Sequence, residues 1–218
     1  MLVNISEIQA LKQTEDYVRN LFENECTGHD RWHINRVRNI ALKIAEKEGG
    51  NRFIIEMSAL LHDVDDWKIN TGENSSKTST WLKNLKIDDS ESKRILEVIE
   101  QVSFKGAHVK NNAVSIEAKI VQDADRLDAI GAIGIARTFT YGGNKGRPIY
   151  LPDIKPELHD NFESYKKTTA PTINHFYEKL LLLKNRLNTH TAIEIAKNRH
   201  TFMEAFLKQF FMEWESAV

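Results

Sequence analysis

The stretch Ser58-Ala-Leu-Leu-His-Asp-Val-Asp-Asp-Trp-Lys68 is the most informative part of this 218-residue chain. It continues an apolar run that is typical of a buried helix and leads directly into His62 and Asp63. An unpaired carboxylate is costly to bury beside leucines, because its charge leaves water without compensation. A bound metal ion removes this cost, and imidazole and carboxylate together suit many divalent ions. The pair therefore predicts part of a metal site, whose other ligands must come from elsewhere in the chain.

Composition excludes several classes of function. The net charge is −1, from 30 Lys and Arg against 31 Asp and Glu, so no nucleic-acid polymer or anionic membrane surface is expected as a partner. The single cysteine, Cys26, excludes an intramolecular disulfide and a Cys-rich zinc site. The first residues lack the pattern of a signal peptide, and the longest aliphatic run, Leu180–Leu183, is far too short to span a membrane. We expect a cytoplasmic protein.

Apolar periodicity and capping residues predict an all-α chain, because no segment alternates with the period of a strand. We interpret residues 1–218 as one domain, with a metal-binding core at about 28–140 and C-terminal helices at about 172–215. The stretch 142–171 is expected to be a substrate-facing loop. Apolar positions such as Ile8 in the first helix and Phe202 in the last are assigned to packing. The expected helices start at Ser6 and Asp30 and then cover about 52–63, 76–85, 89–102, 115–141, 172–187 and 191–214.

Two of these helices carry further candidate ligands. His33 shares a buried stripe with Val37 and Ile44, and a lone histidine there is more often a core residue with satisfied hydrogen bonds. The neighbouring His62-Asp63 pair favours a ligand instead. In the helix expected at 115–141, Asp123, Asp125 and Asp128 interrupt an apolar pattern.

The three carboxylates of that helix have different surroundings. Asp125 shares a face with Ala129, Ala132 and Ala136, a strip that predicts a close helix–helix seam. Asp123 instead lines up with apolar residues. Asp128 either accepts a hydrogen bond from a metal-binding side chain or takes part in helix packing, and the spacing does not decide between these roles.

Longer strings give the chain a specific resemblance. GHDRWHINRV, ALLHDVDDWK, SFKG, VQDADRLDAIGAIGIARTF and HFYEKL together extend from Gly28 to about Leu180. A chain with these strings resembles the HD-domain superfamily of metal-dependent phosphohydrolases, and within it a bacterial branch that acts on nucleotides. The resemblance implies an all-α helical bundle with a C-terminal helical extension. It also implies that His29-Asp30 caps a helix or contacts substrate, and that His159-Asp160 is incidental.

The same resemblance implies the ligand set. His33, His62, Asp63 and Asp125 match the family's metal ligands, with Asp123 as the alternative to Asp125. The chain lacks the extra paired histidines of binuclear relatives, which favours one divalent ion per chain. Manganese is favoured over magnesium, cobalt, nickel and iron.

The implied reaction is the hydrolysis of (deoxy)nucleoside triphosphates to monophosphate and pyrophosphate. Asp66 occupies the position of an acidic catalytic residue in related nucleotidases. Cations that could neutralise phosphate are Lys105, Lys179, Arg126 and Arg147, although each is equally explained as a surface charge. The alternatives are a phosphomonoesterase acting on nucleoside monophosphates or other small esters, and a sensor that binds metal and nucleotide without turnover. The sequence does not decide between a monomer and a homodimer.

Overall fold

The computed structural model describes residues 6–25, 28, 30–65, 76–102, 113–158 and 169–216. These residues contain helices and no β-strand, which confirms the all-α prediction. No helix among them is both long enough and apolar enough to cross a membrane. The helices are α1 (Glu7–Leu21), α2 (Arg31–Glu48), α3 (Arg52–Leu61), α4 (Lys77–Asn84), α5 (Asp89–Glu100), α6 (Ile116–Asp128), α7 (Gly131–Asn144), a composite α8, and α9 (His190–Trp214). The composite α8 joins a π-helical turn (Phe176–Leu180), an α-helical turn (Leu181–Leu183) and a 3-10 turn (Lys184–Arg186).

Side-chain caps fix where the helices start. At each capped start a polar side chain accepts a hydrogen bond from a backbone N–H of the first turn, an interaction worth about 1 kcal/mol. Asp30, for example, accepts from the His33 N–H at 2.8 Å and so sets the start of α2. The predicted caps Ser6 and Asp30 are confirmed. The capping residues are Ser6, Asp30, Asn51, Ser76, Asp88 and Thr189.

The described residues form two compact units, the first within 1–103 and 112–125 and the second within 126–218. In the first unit α3 is the central helix, since Phe53 through Leu61 are all buried and α1, α2 and α5 pack against it. In the second unit α7 packs against α9, and Phe176 and Phe206 stack there with ring centroids 5.7 Å apart. The interpretation of the whole chain as one domain stays a prediction.

The single helix predicted for 115–141 is wrong, because α6 and α7 are separated at residues 129–130. Ile130 is extended, and Gly131 has φ +78°, a conformation that favours glycine. Beside the break, the guanidinium of Arg199 donates to the Leu127 carbonyl. The close seam expected along Ala132 and Ala136 is also wrong, since both alanines are exposed.

Two apolar positions that the sequence assigned to packing are exposed. Ile8 is 80% exposed and Phe202 is 53% exposed. Both lie on otherwise correctly predicted helices, so the periodicity located the helices better than it located their buried faces.

A glutamate joins the starts of α3 and α6 in the first unit. The Glu117 carboxylate accepts from the Asn51 N–H at 3.1 Å and from Nη2 of Arg94, also at 3.1 Å. Burial raises the pKa of Glu117, but the Asn51 hydrogen bond and the Arg94 charge outweigh it, and the net pKa is lowered. This contact fixes the start of α6, the helix that carries Asp125.

Gly134→Ala is expected to destabilise the protein by about 1–3 kcal/mol, the usual cost of overpacking. A Cβ at residue 134 would overlap the carbonyl oxygen of Ala129, which is backbone and cannot move aside. Gly143→Ala in the same helix is the matched control, since no atom lies within 4 Å of its added Cβ and alanine favours a helix. Urea unfolding measures both variants, and equal stabilities would contradict the assignment of the break.

Glu117→Gln is expected to cost about 1 kcal/mol at pH 7, because the amide oxygen still accepts but the negative charge that strengthens both hydrogen bonds is lost. The folded pKa of Glu117 is lowered, so its contribution is present above the unfolded pKa and is lost as pH falls through the folded value. The gap in unfolding free energy between wild type and Glu117→Gln should therefore shrink from pH 7 towards pH 3. A gap that is constant with pH would show that the charge of Glu117 does not contribute.

Candidate metal centre

Three helices of the first unit bring two imidazoles and two carboxylates together. His33 lies on α2 and is fully buried, while His62 and Asp63 follow the last residue of α3 and are each 6% exposed. One ligand atom from each of these three residues lies within 4.8 Å of the others. Asp125, on α6, extends the group, with its Oδ1 3.6 Å from Nε2 of His33 and 3.9 Å from Nε2 of His62.

The tautomer of His62 is fixed by a backbone carbonyl. Nδ1 of His62 lies 2.8 Å from the Ala59 carbonyl oxygen, which can only accept. Nδ1 therefore carries the hydrogen, and in the neutral ring Nε2 has a free lone pair. A metal-binding histidine is commonly oriented in this way, with its second nitrogen donating to a carbonyl.

The atoms that converge at this point are all electron-rich. The two Nε2 atoms of His33 and His62 are 3.3 Å apart, with Asp63 oxygens 3.2 Å from the first and 3.4 Å from the second. When both Nε2 atoms carry lone pairs, as ion binding requires, these lone pairs and carboxylates repel unless positive charge lies between them. A divalent cation supplies that charge without protonating two buried imidazoles. Two nitrogens bound at about 2.1 Å on adjacent octahedral positions lie about 3 Å apart, close to the observed separation.

The carboxylates of α6 occupy different surroundings. The Asp125 side chain is 26% exposed and faces the two imidazoles, which leaves room for water or a ligand beside it. Asp123, the alternative ligand, is fully buried. Asp128 lies in the second unit, where Nη1 of Arg137 donates to it at 2.7 Å. Of the two roles left open for Asp128, the structure supports helix packing.

The remaining candidate site residues lie either outside the described residues or in the second unit. Asp66 and Lys105 lie outside the described residues, as do His29 and His159-Asp160. Arg126, Arg147 and Lys179 belong to the second unit. Arg126 is 4% exposed and donates to the Arg186 carbonyl, whereas Arg147 lies 5.7 Å from the centre of the Tyr141 ring. Lys179 is half-buried in the π-helical turn of α8.

Comparison with known proteins decides the family. Residues 32–130 match the HD domain family. The uncharacterised protein YpgQ of Bacillus subtilis is 36% identical over 208 residues, 94% of each chain. This chain belongs to the HD-domain superfamily of metal-dependent phosphohydrolases.

Several solved structures are similar to this chain over most of its length. A Lactobacillus plantarum protein superposes with a TM-score of 0.89 at 37% identity, covering 97% of this chain and 99% of its own. An HD-superfamily hydrolase of Bacillus thuringiensis has a TM-score of 0.73 at 46% identity, covering 96% and 99%. The crystal structure of YpgQ in complex with ADP has a TM-score of 0.76 at 35% identity, covering 96% and 97%.

Sequence reasoning missed two contributors to the geometry of this HD centre. The Ala59 carbonyl orients His62, but a backbone acceptor leaves no trace in the residue pattern. The Asp65 carboxylate accepts hydrogen bonds from Ser76, Lys77 and Thr78. The sequence shows both Asp65 and the helix start at Ser76, but no pattern in it predicts a contact between them.

Added Mn²⁺ should raise the melting temperature of the wild-type protein, because a ligand that binds only the folded state stabilises it by mass action. At a concentration 100 times Kd the gain is about 2.7 kcal/mol. Asp63→Ala should fold and lose this gain, and differential scanning fluorimetry with and without EDTA measures both. A full Mn²⁺ response in Asp63→Ala would show that the assigned centre is wrong.

The same titration compares the two candidate ligands of α6. Asp125→Asn should lose most of the Mn²⁺-dependent gain, while Asp123→Asn should keep it even if its melting temperature without metal is lower. The reverse pattern would transfer the ligand role to Asp123.

Proposed function

We propose that this protein hydrolyses nucleotides with one bound divalent ion, with manganese favoured, held by His33, His62, Asp63 and Asp125. The observation that carries the proposal is the 3.3 Å approach of two buried imidazole nitrogens, one with its tautomer set by the Ala59 carbonyl, between two carboxylates. Two nitrogen and two oxygen donors suit manganese and similar divalent ions. A set of four also leaves positions on a six-coordinate ion for water and a phosphate oxygen.

A nucleotide substrate is supported by YpgQ, whose crystal structure was obtained with ADP. YpgQ is 35% identical to this chain in that structure, over nearly the full length of both. Our leading reaction is hydrolysis of (deoxy)nucleoside triphosphates at the α-phosphorus. The oxygen of water bonds to that phosphorus, the bond to the bridging α–β oxygen breaks, and the products are nucleoside monophosphate and pyrophosphate.

Each residue of the proposed site has a separate role. The bound ion would lower the pKa of water and polarise the phosphoryl group. His33 and His62 hold the ion as neutral ligands, and Asp63 and Asp125 balance its charge. Asp66 is our candidate general acid/base, because the resemblance to HD nucleotidases implies an acidic catalytic residue at this position, three residues after Asp63.

The phosphate charge of the substrate requires cations. Lys105, Lys179 and Arg147 are our candidates for this contact. Arg126 is the weakest of the original four, because its buried guanidinium already binds a backbone carbonyl. The proposed partner is a small nucleotide, and the cytoplasmic location stays a prediction.

The reaction is tested by phosphorus NMR of dATP incubated with Mn²⁺-loaded protein in ¹⁸O-labelled water, with Mn²⁺ removed by chelation before the spectra are recorded. The expected products are dAMP that carries the label and unlabelled pyrophosphate, which places attack at the α-phosphorus. Asp63→Ala should form neither product. Asp16→Ala, which removes an exposed carboxylate paired with Arg19, is the matched control and should retain full activity.

Other products would redirect the assignment. Orthophosphate from the triphosphate would show a phosphatase that removes the terminal phosphate, and turnover of dAMP alone would show a phosphomonoesterase. Absence of turnover with manganese, magnesium, cobalt and nickel, in protein that still binds the ion, would show a sensor.

A further inference from the structure

Among the described residues, the carboxylate of Asp65 joins the turn that carries His62 and Asp63 to the start of α4. Residues 62–65 form a turn after α3, within which the Val64 N–H donates to the Leu61 carbonyl at 3.1 Å. At its end, Asp65 accepts from the Ser76 hydroxyl at 2.6 Å, the Lys77 N–H at 2.8 Å and the Thr78 N–H at 3.2 Å. These partners are 11 to 13 residues further along the chain.

The helix at the other end of this contact is held firmly. Thr78 and Leu82 of α4 are each 1% exposed, and α4 packs against α5, which in turn packs against α3. Trp81 of α4 donates to the Thr14 hydroxyl at 2.9 Å and stacks on Tyr17 with ring centroids 4.1 Å apart. Hydrogen bonds to Asp65 therefore connect the ligand turn to a fixed part of the first unit.

Asp65 does more than cap α4, because α4 already has its own cap. The Ser76 side chain accepts from the Ser79 N–H at 3.0 Å, which is the ordinary capping bond. Asp65 takes the Lys77 and Thr78 N–H groups that this cap leaves open, and its negative charge is favoured at a helix N-terminus. The contact thus stabilises the position of the turn as well as the helix.

We propose that Asp65 is a positioning residue that holds the His62-Asp63 turn against the start of α4 and thereby sets the affinity of the centre for its metal. The inference rests on the proposed function, since it assumes that His62 and Asp63 bind the ion. Only Val64 separates Asp65 from Asp63 along the chain, so release of the Asp65 carboxylate frees the backbone that directs the Asp63 oxygens. The two acids that follow His62-Asp63 then have different roles. Asp65 positions the turn that carries the ligands, and Asp66 remains the candidate acid/base.

The test is the Kd of Mn²⁺, measured by the EPR signal of free Mn²⁺ at a temperature well below unfolding. Asp65→Ala is expected to raise Kd about tenfold or more, the range seen when residues that orient metal ligands are removed. Asp65→Asn should raise it less, because one carbonyl acceptor remains. Activity of both variants should recover towards the wild-type kcat at saturating Mn²⁺, since only affinity is impaired.

Asp88→Ala is the matched control. Asp88 caps α5 by accepting from the Ser90 N–H at 2.9 Å, so its removal costs a helix cap in the same unit without touching the ligand turn. Its Kd for Mn²⁺ should equal that of the wild type. If Asp65→Ala does not fold, Asp65→Asn provides the same comparison.

Three results would overturn this inference but not the proposed function. They are an unchanged Kd for Mn²⁺ in Asp65→Ala, an equal rise of that Kd in Asp88→Ala, and a kcat of Asp65→Ala that stays low at saturating Mn²⁺. The first two exclude a specific effect on the metal centre, and the third assigns Asp65 to the chemistry. Wild-type protein that binds no divalent ion would instead overturn the proposed function together with the inference.

Discussion

The close approach of two buried imidazole nitrogens, on His33 and His62, is the constraint on which the first unit depends. In the protonation state that binds an ion, with a lone pair on each Nε2, these nitrogens and the neighbouring carboxylates of Asp63 and Asp125 repel one another until positive charge lies between them. Every helix that carries one of these residues must therefore be held against that repulsion. The buried length of α3, the Asp30 cap of α2 and the Glu117 contact at the start of α6 provide this support from three directions. A bound cation reverses the sign of the interaction, so the metal and the fold stabilise each other.

Much of this arrangement was predictable because it is encoded locally. Capping residues such as Ser6 and Asp30 act within one helical turn, so the sequence places the helix starts correctly. The stripe that contains His33 follows from helical spacing, and the apolar run before His62 predicts a buried helix. The resemblance to the HD-domain superfamily then follows from the longer sequence strings around these residues.

The features that sequence reasoning missed depend on contacts between distant residues. The break between α6 and α7 lies in an apolar, small-residue pattern that continues through it, whereas Arg199 contacts the Leu127 carbonyl from a helix far along the chain. Arg126 is similar: its positive charge made it a candidate for a phosphate contact, and only the fold shows its bond to the Arg186 carbonyl. Helical periodicity predicts which residues share a face, but it does not predict whether that face packs against another helix or is exposed to solvent. The exposed Phe202 is the clearest example.

The hydrogen bond from His62 to the Ala59 carbonyl has a consequence for mutational robustness. A backbone oxygen is present whatever side chain occupies the position, so substitutions at residue 59 that preserve the helix leave the protonation pattern of His62 unchanged. A histidine oriented by a carboxylate would instead lose its tautomer through one substitution. The ligand set of this centre could therefore be varied at His33 or Asp125, by drift or by design for another metal, while His62 keeps its lone pair directed at the ion.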